Sequence, residues 1–234
     1  MSLEELRQTI KKSANPAQAK ILSRFFKTGR GEYGEGDEFL GIKVPISRSI
    51  AKQFKDLTLT ELQALLNSPI HEERLIALFI LIEHFKKADA NSKKIIFDFY
   101  LRNTKRVNNW DLVDLSAERI IGVYLLDKDK SMLFKLARSK KLWERRIAIM
   151  STFHFIKNGN YETTLAIADM LLKDEHDLIH KAVGWMLREI GNRNLKVEET
   201  YLEKHYKIMP RTMLRYAIEK FPEKIRQAYL KGKI

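Results

Sequence analysis

The chain has 234 residues, 44% of them hydrophobic and 31% charged, with five prolines, ten glycines and no cysteine. That length can bury a sizeable core, the few prolines and glycines argue against a disordered or all-β chain, and the missing cysteines exclude disulfides and zinc–thiolate sites. Lys and Arg outnumber Asp and Glu by 43 to 30, a formal charge of +13, which favours a polyanionic partner through counterion release, although a merely soluble basic protein has the same balance.

Read in chain order, Met1–Leu6 is amphipathic and acidic, unlike a signal peptide. No apolar run approaches the roughly 18 residues of a membrane span, so a cytoplasmic protein with no membrane partner is expected. Asn15-Pro16 places a cap before a proline at a first helical position, and Ile21, Phe25 and Phe26 give the helix an apolar face. Lys27 to Glu38 is glycine-rich and polar and reads as a loop. Leu40-Gly41-Ile42-Lys43-Val44-Pro45 leads into a further helix at about Ile46.

A repeat follows. Arg74-Leu75-Ile76-Ala77 is succeeded by Trp110-Asp111-Leu112-Val113 and Arg146-Ile147-Ala148-Ile149 at steps of 36. Lys181-Ala182-Val183-Gly184 comes 35 later, Arg215-Tyr216-Ala217-Ile218 a further 34, and Arg48-Ser49-Ile50-Ala51 precedes them all. Second helices fall between, at Ser92 to Leu101, Ser131 to Ala137 and Tyr161 to Leu172. A period in the mid-thirties with two helices per unit predicts an all-α solenoid over 1–234, a superhelix of paired antiparallel helices read as one repeat domain. In register, Arg48, Arg74, Arg146, Lys181 and Arg215 would form a cationic stripe for a phosphate backbone on a concave basic face. For any one of them, pairing with a neighbouring helix is the stronger reading.

Two motif matches carry no function. Gly29-Arg30-Gly31-Glu32-Tyr33-Gly34 fits G-x-G-x-x-G, but a helix precedes it instead of a strand, and Glu32, Glu35, Asp37 and Glu38 would repel phosphate. His176-Asp177-Leu178-Ile179-His180 approximates H-E-x-x-H, but the aspartate is short for a base and no third ligand follows at a convincing spacing. No metal site and no cofactor are expected.

Asn108-Asn109-Trp110-Asp111-Leu112-Val113-Asp114 is the most informative segment. Asn108 or Asn109 can cap a helix, and Asp111 then suits the positive end of its dipole, a structural role that accounts for it. Trp110 and Asp114 stand at i and i+4 on one face, where a carboxylate beside an indole suits a cationic centre. Lys181, Trp185 and Arg188 share another face, and Trp143 and Arg146 make a third pair. Gly184, costly in a helix interior by about 1 kcal/mol against Ala, marks a close approach by a neighbouring helix or a ligand.

Trp110-Asp111-Leu112-Val113-Asp114, Trp143-Glu144-Arg145-Arg146 and Lys181 to Glu189 resemble the signature segments of the AlkD-type DNA alkylation-repair proteins, as does Phe39 to Pro45. The resemblance runs from about Ala19 to Pro222. It implies a HEAT-like or ARM-type array that cradles duplex DNA and removes cationic N-alkylated purines, N3-methyladenine and N7-methylguanine among them, without a base pocket, metal or cofactor. By resemblance Asp114 is the catalytic carboxylate, and Trp110 and Trp185 pack against the lesion's deoxyribose. Arg146, Arg188 and Lys181 hold the backbone, with Lys43 and Arg48 on the amino-terminal DNA-binding helices. Asn109, Lys43 and Val44 depart from the family's pattern.

The expected function is that of a monomeric DNA glycosylase whose partner is duplex DNA containing alkylated bases. Asp114 should be needed for excision and not for folding or DNA binding. A non-catalytic relative that binds branched or distorted DNA would keep the basic face without needing Asp114. A HEAT-type protein–protein scaffold would present an apolar or acidic concave face instead.

Overall fold

The computed structural model describes residues 1–234; its regular secondary structure is entirely helical, apart from one isolated bridge between Glu38 and Ile70. None of its helices is long and apolar enough to cross a membrane. The chain resolves into two compact units, 1–112 and 113–234.

In the first unit, α1 (Leu3–Lys12) opens with a Ser2/Glu5 capping box, and Asn15 caps α2 (Pro16–Phe25) with Pro16 in its first turn. α3 (Val44–Gln53) begins two residues earlier than the sequence pattern places it, because Pro45 occupies its first turn. Thr58 and Glu61 box the start of α4 (Leu59–Leu66). α5 (His71–Lys87) is the central helix, buried over most of its length and packed by α3, α4 and α6 (Ala90–Arg102). Even its first turn is buried: Glu72 accepts the amides of Leu40, Gly41 and Ile42, pinning the segment before α3. α7 (Trp110–Ala117) starts at the end of this unit.

In the second unit α7 runs through a π-helical turn, Glu118–Gly122, into the short α8 (Val123–Leu125). There follow α9 (Ser131–Ala137), α10 (Leu142–Ser151), α11 (Phe153–Lys157), α12 (Glu162–Leu171), α13 (Asp177–Gly191), α14 (Leu195–His205), α15 (Arg211–Ala217) and α16 (Glu223–Leu230). α10, α13 and α15 are successive packing neighbours. α9 backs α10, and α12 and α14 back α13. The mid-thirties period is thus the spacing between helices that share a core. Gly184 sits where α13 meets α15: a Cβ there would overlap the Met213 carbonyl and lie 2.6 Å from Tyr216 Cβ.

Candidate functional site

Asn109 is fully buried, and its Oδ1 accepts the Trp110 amide at 2.9 Å. Of the two asparagines it is therefore the one that receives the first amide of α7. Its Nδ2 donates to Asp37, as does that of Asn108. The half-buried Trp110 ring lies nearly parallel to Phe26, with centroids 5.2 Å apart, and meets Phe25 edge-on at 5.9 Å. Phe26 stacks on Phe39 at 5.0 Å, and Phe39 on His71 at 4.5 Å.

His71 ends this aromatic ladder, and no motif in the chain announces it. Its Nδ1 lies 3.0 Å from Asp37 Oδ2 and its Nε2 2.8 Å from Asp111 Oδ2. Burial by itself would push the imidazole pKa down, but the Asp111 and Asp37 carboxylates outweigh it and lift it from 6.5 to about 9. Burial likewise pushes Asp37 up, and His71, Arg74 and Asn109 together hold it below the ordinary carboxylate value. Arg74 donates to Asp37 Oδ1 at 2.6 Å and to two carbonyls. Asp111 therefore does more than suit a helix dipole, and Asp37 anchors the glycine-rich loop instead of repelling a ligand from it. Proton-sharing residues 34 and 40 positions apart leave no local spacing signal in the chain.

On α7, Asp114 stands one turn beyond Trp110. In the second unit it forms a bidentate pair with Arg146 of α10: Nε to Oδ1 at 2.8 Å and Nη2 to Oδ2 at 2.7 Å. Arg146 Nη1 donates to the Leu178 carbonyl, so three directions of the guanidinium are fixed. The Arg146 side chain is 6% exposed and that of Asp114 17% exposed. Arg146 thus orients a carboxylate that reaches solvent, and it is not displayed towards a phosphate. Arg74, equally buried, is likewise turned away from a phosphate, held by Asp37, which is itself buried. At these two positions of the cationic stripe, pairing with a neighbouring element is what the geometry holds.

The other site residues are more open. Trp185 is half-buried, its Nε1 donating to Glu189 at 3.3 Å. Arg188 pairs with Glu219 and Glu189, and Lys181 with Asp177 one turn before it. Lys43 and Arg48 are exposed, and the Arg48 guanidinium lies 5.2 Å from the Phe79 ring centre. In the Gly29–Gly34 loop Glu32 and Glu35 accept the amides of Gly29 and Gly31, the groups a phosphate would need. His176 caps α13 through Nδ1, and no cluster of three or more His, Asp or Glu side chains has metal-binding geometry.

Residues 6–221 match the family of DNA alkylation repair enzymes. No curated protein matches the chain. Among solved structures it is similar to a predicted DNA alkylation repair enzyme from Enterococcus faecalis, at 17% identity, a TM-score of 0.70, and coverage of 90% of this chain and 98% of that one. That likeness extends the all-helical fold over nearly the full length. The family match reaches from α1 to the turn before α16, so the Trp110–Asp114 helix and the Asp114–Arg146 pair both fall inside it: the chain belongs to the family of DNA alkylation repair enzymes.

Proposed function

We propose that the protein is a monomeric DNA glycosylase that hydrolyses the N-glycosidic bond of cationic alkylated purines in duplex DNA, N3-methyladenine and N7-methylguanine being the substrate class. The observation that carries this reading is the Asp114 carboxylate, held along both oxygens by Arg146 and still partly open to solvent. An N-alkylated purine already bears positive charge. It departs with the electron pair of its bond to C1′, without a general acid, and leaves an oxocarbenium-like sugar. A preoriented carboxylate stabilises that developing charge, and water adds at C1′ and loses its proton. Trp110 and Trp185 offer indole faces to the cationic sugar.

Lys43 and Arg48 of the first unit, and Lys181 and Arg188 of the second, are proposed to contact the phosphate backbone of the duplex. The surface ion pair at Lys181 is worth little and yields readily to phosphate. Arg146 takes the role of fixing Asp114.

The test is release of methylated purines from methylated duplex DNA by wild type, Asp114→Asn, and the double variant Asp114→Asn/Arg146→Gln. The double variant removes both charges, which restores a neutral buried pair. Excision should fall by about 10²-fold or more in both variants, and the double variant should bind DNA and melt near wild type. Wild-type excision by a folded double variant would overturn the assignment of Asp114.

A further inference from the structure

We propose that His71 is a positioning residue for the repair site: clamped between Asp37 and Asp111, it fixes the first turn of α7 and, through the Phe39–Phe26 stack, the ring of Trp110. The inference rests on the glycosylase reading only for its activity readout.

The proton count argues for a charged clamp. Both ring nitrogens lie within 3.0 Å of carboxylate oxygens, which only accept. A neutral imidazole has one N–H and can serve one of them, so both bonds require the imidazolium. The charged groups around it are Asp37 from the loop, Asp111 from α7, Arg74 and Glu72 from α5, and Lys43 just before α3, which lines the same cavity as His71 and Asp111. Arg74 is bound to Asp37, and Glu72 is bound by the amides of Leu40, Gly41 and Ile42, so neither substitutes for His71 towards Asp111.

Position argues for a function beyond packing. Apolar residues of equal volume commonly stabilise a core as well as a buried charge cluster does. This cluster lies directly behind Trp110. Asp111, the neighbour of Trp110, accepts from His71 through one oxygen and from the Leu112 amide through the other, so the imidazolium grips the turn that carries the indole. His71 also terminates the ring ladder, so it holds Trp110 by backbone and by stacking at once. A cavity of about 200 Å³, lined in part by Phe26, Phe39, His71 and Asp111, gives these rings room to shift once the clamp is released.

The decisive experiment follows the ¹⁵N–¹H signals of the histidine imidazoles and the three tryptophan indoles from pH 6 to 10. His71 should lose a ring proton near pH 9, and the Trp110 indole signal should move with the same midpoint while that of Trp185 does not. In His71→Gln, whose single amide nitrogen can reach only one of the two carboxylates and whose other terminus is an acceptor oxygen, Trp110 should be displaced already at pH 7 and lose its titration. Asp111→Asn provides the second variant should His71→Gln fail to fold, and it should displace Trp110 in the same way. Base release by either variant should fall about 10²-fold in kcat, the expected cost of misplacing a contact by about 1 Å, with DNA affinity unchanged. A Trp110 signal indifferent to the state of His71 overturns the proposal. If wild type releases no base at all, the glycosylase reading fails and the indole titration still decides the role of His71.

Discussion

Asp114 and Arg146 satisfy each other, so removing either leaves a charge behind. Breaking such a pair costs about 3–5 kcal/mol when the remaining partner stays buried. Arg146→Ala should therefore lower the melting temperature and the excision rate while DNA affinity, measured on damaged and undamaged duplexes, stays within about twofold. A cation in the repeat stripe would be expected to lose affinity uniformly; burial of the guanidinium moves the expected loss to stability and catalysis. A well-folded Arg146→Ala protein with weakened DNA binding would return Arg146 to the phosphate backbone. His71 makes a separate contribution that depends on pH. Its folded pKa of about 9 exceeds the unfolded 6.5, so its stabilisation is complete below pH 6.5 and is lost as pH rises through 9. Between pH 6 and pH 10 wild type should lose on the order of 3 kcal/mol more stability in urea unfolding than His71→Gln does, while Glu198, pushed up by burial to about 8, contributes a loss of the same sign to both proteins.

At the scale of the helix, Gly184 sets two effects against each other. Alanine improves an isolated helix by about 1 kcal/mol over glycine. Here its Cβ would press on the Met213 carbonyl and Tyr216 Cβ, which belong to α15 and have little freedom to move. Overpacking costs about 1–3 kcal/mol, so Gly184→Ala should be destabilising overall, and a melting temperature at or above wild type would show that α15 shifts freely. This contact was legible in the chain because glycine weakens a helix interior unless something must come closer than a Cβ allows. The repeat helices were legible from their period: α9 begins and ends where the period places it, and α12 within a residue at each end. The His71 clamp was not legible. Its members are joined by tertiary contact alone, and each has a sufficient local role: Asp37 as a loop acid, Asp111 as a helix-start acid, His71 as an ordinary first-turn residue. Asp114 was legible from its place one turn after Trp110, but its partner Arg146, 32 residues away, had a competing use as a member of the cationic stripe.

Across the whole molecule, the surplus of 43 cations over 30 anions is unevenly distributed. Residues 16–28 and 39–55 contain no Asp or Glu, and they carry Lys20, Arg24, Lys27, Lys43, Arg48, Lys52 and Lys55. All seven are exposed. By contrast, the buried Arg74 and Arg146 are held in internal pairs. Net charge alone would count all of these cations towards a polyanion, whereas accessibility divides them into those that can neutralise phosphates and those that cannot. Each neutralised phosphate contributes a slope of about −0.9 to log K against log salt, and about six to ten contacts would lower affinity by about 10³ to 10⁵ between roughly 50 and 200 mM salt. Binding to duplex DNA should accordingly be steeply salt-dependent and indifferent to sequence, because backbone contacts carry no base information. Lys43→Ala and Arg48→Ala should each make the slope shallower by about 0.9 and weaken damaged and undamaged duplexes alike. Arg146→Ala should leave the slope unchanged. A flat salt titration would exclude phosphate recognition as the source of affinity. A slope that changes with Arg146 and not with Lys43 or Arg48 would mean that DNA draws the buried guanidinium out of its pair with Asp114.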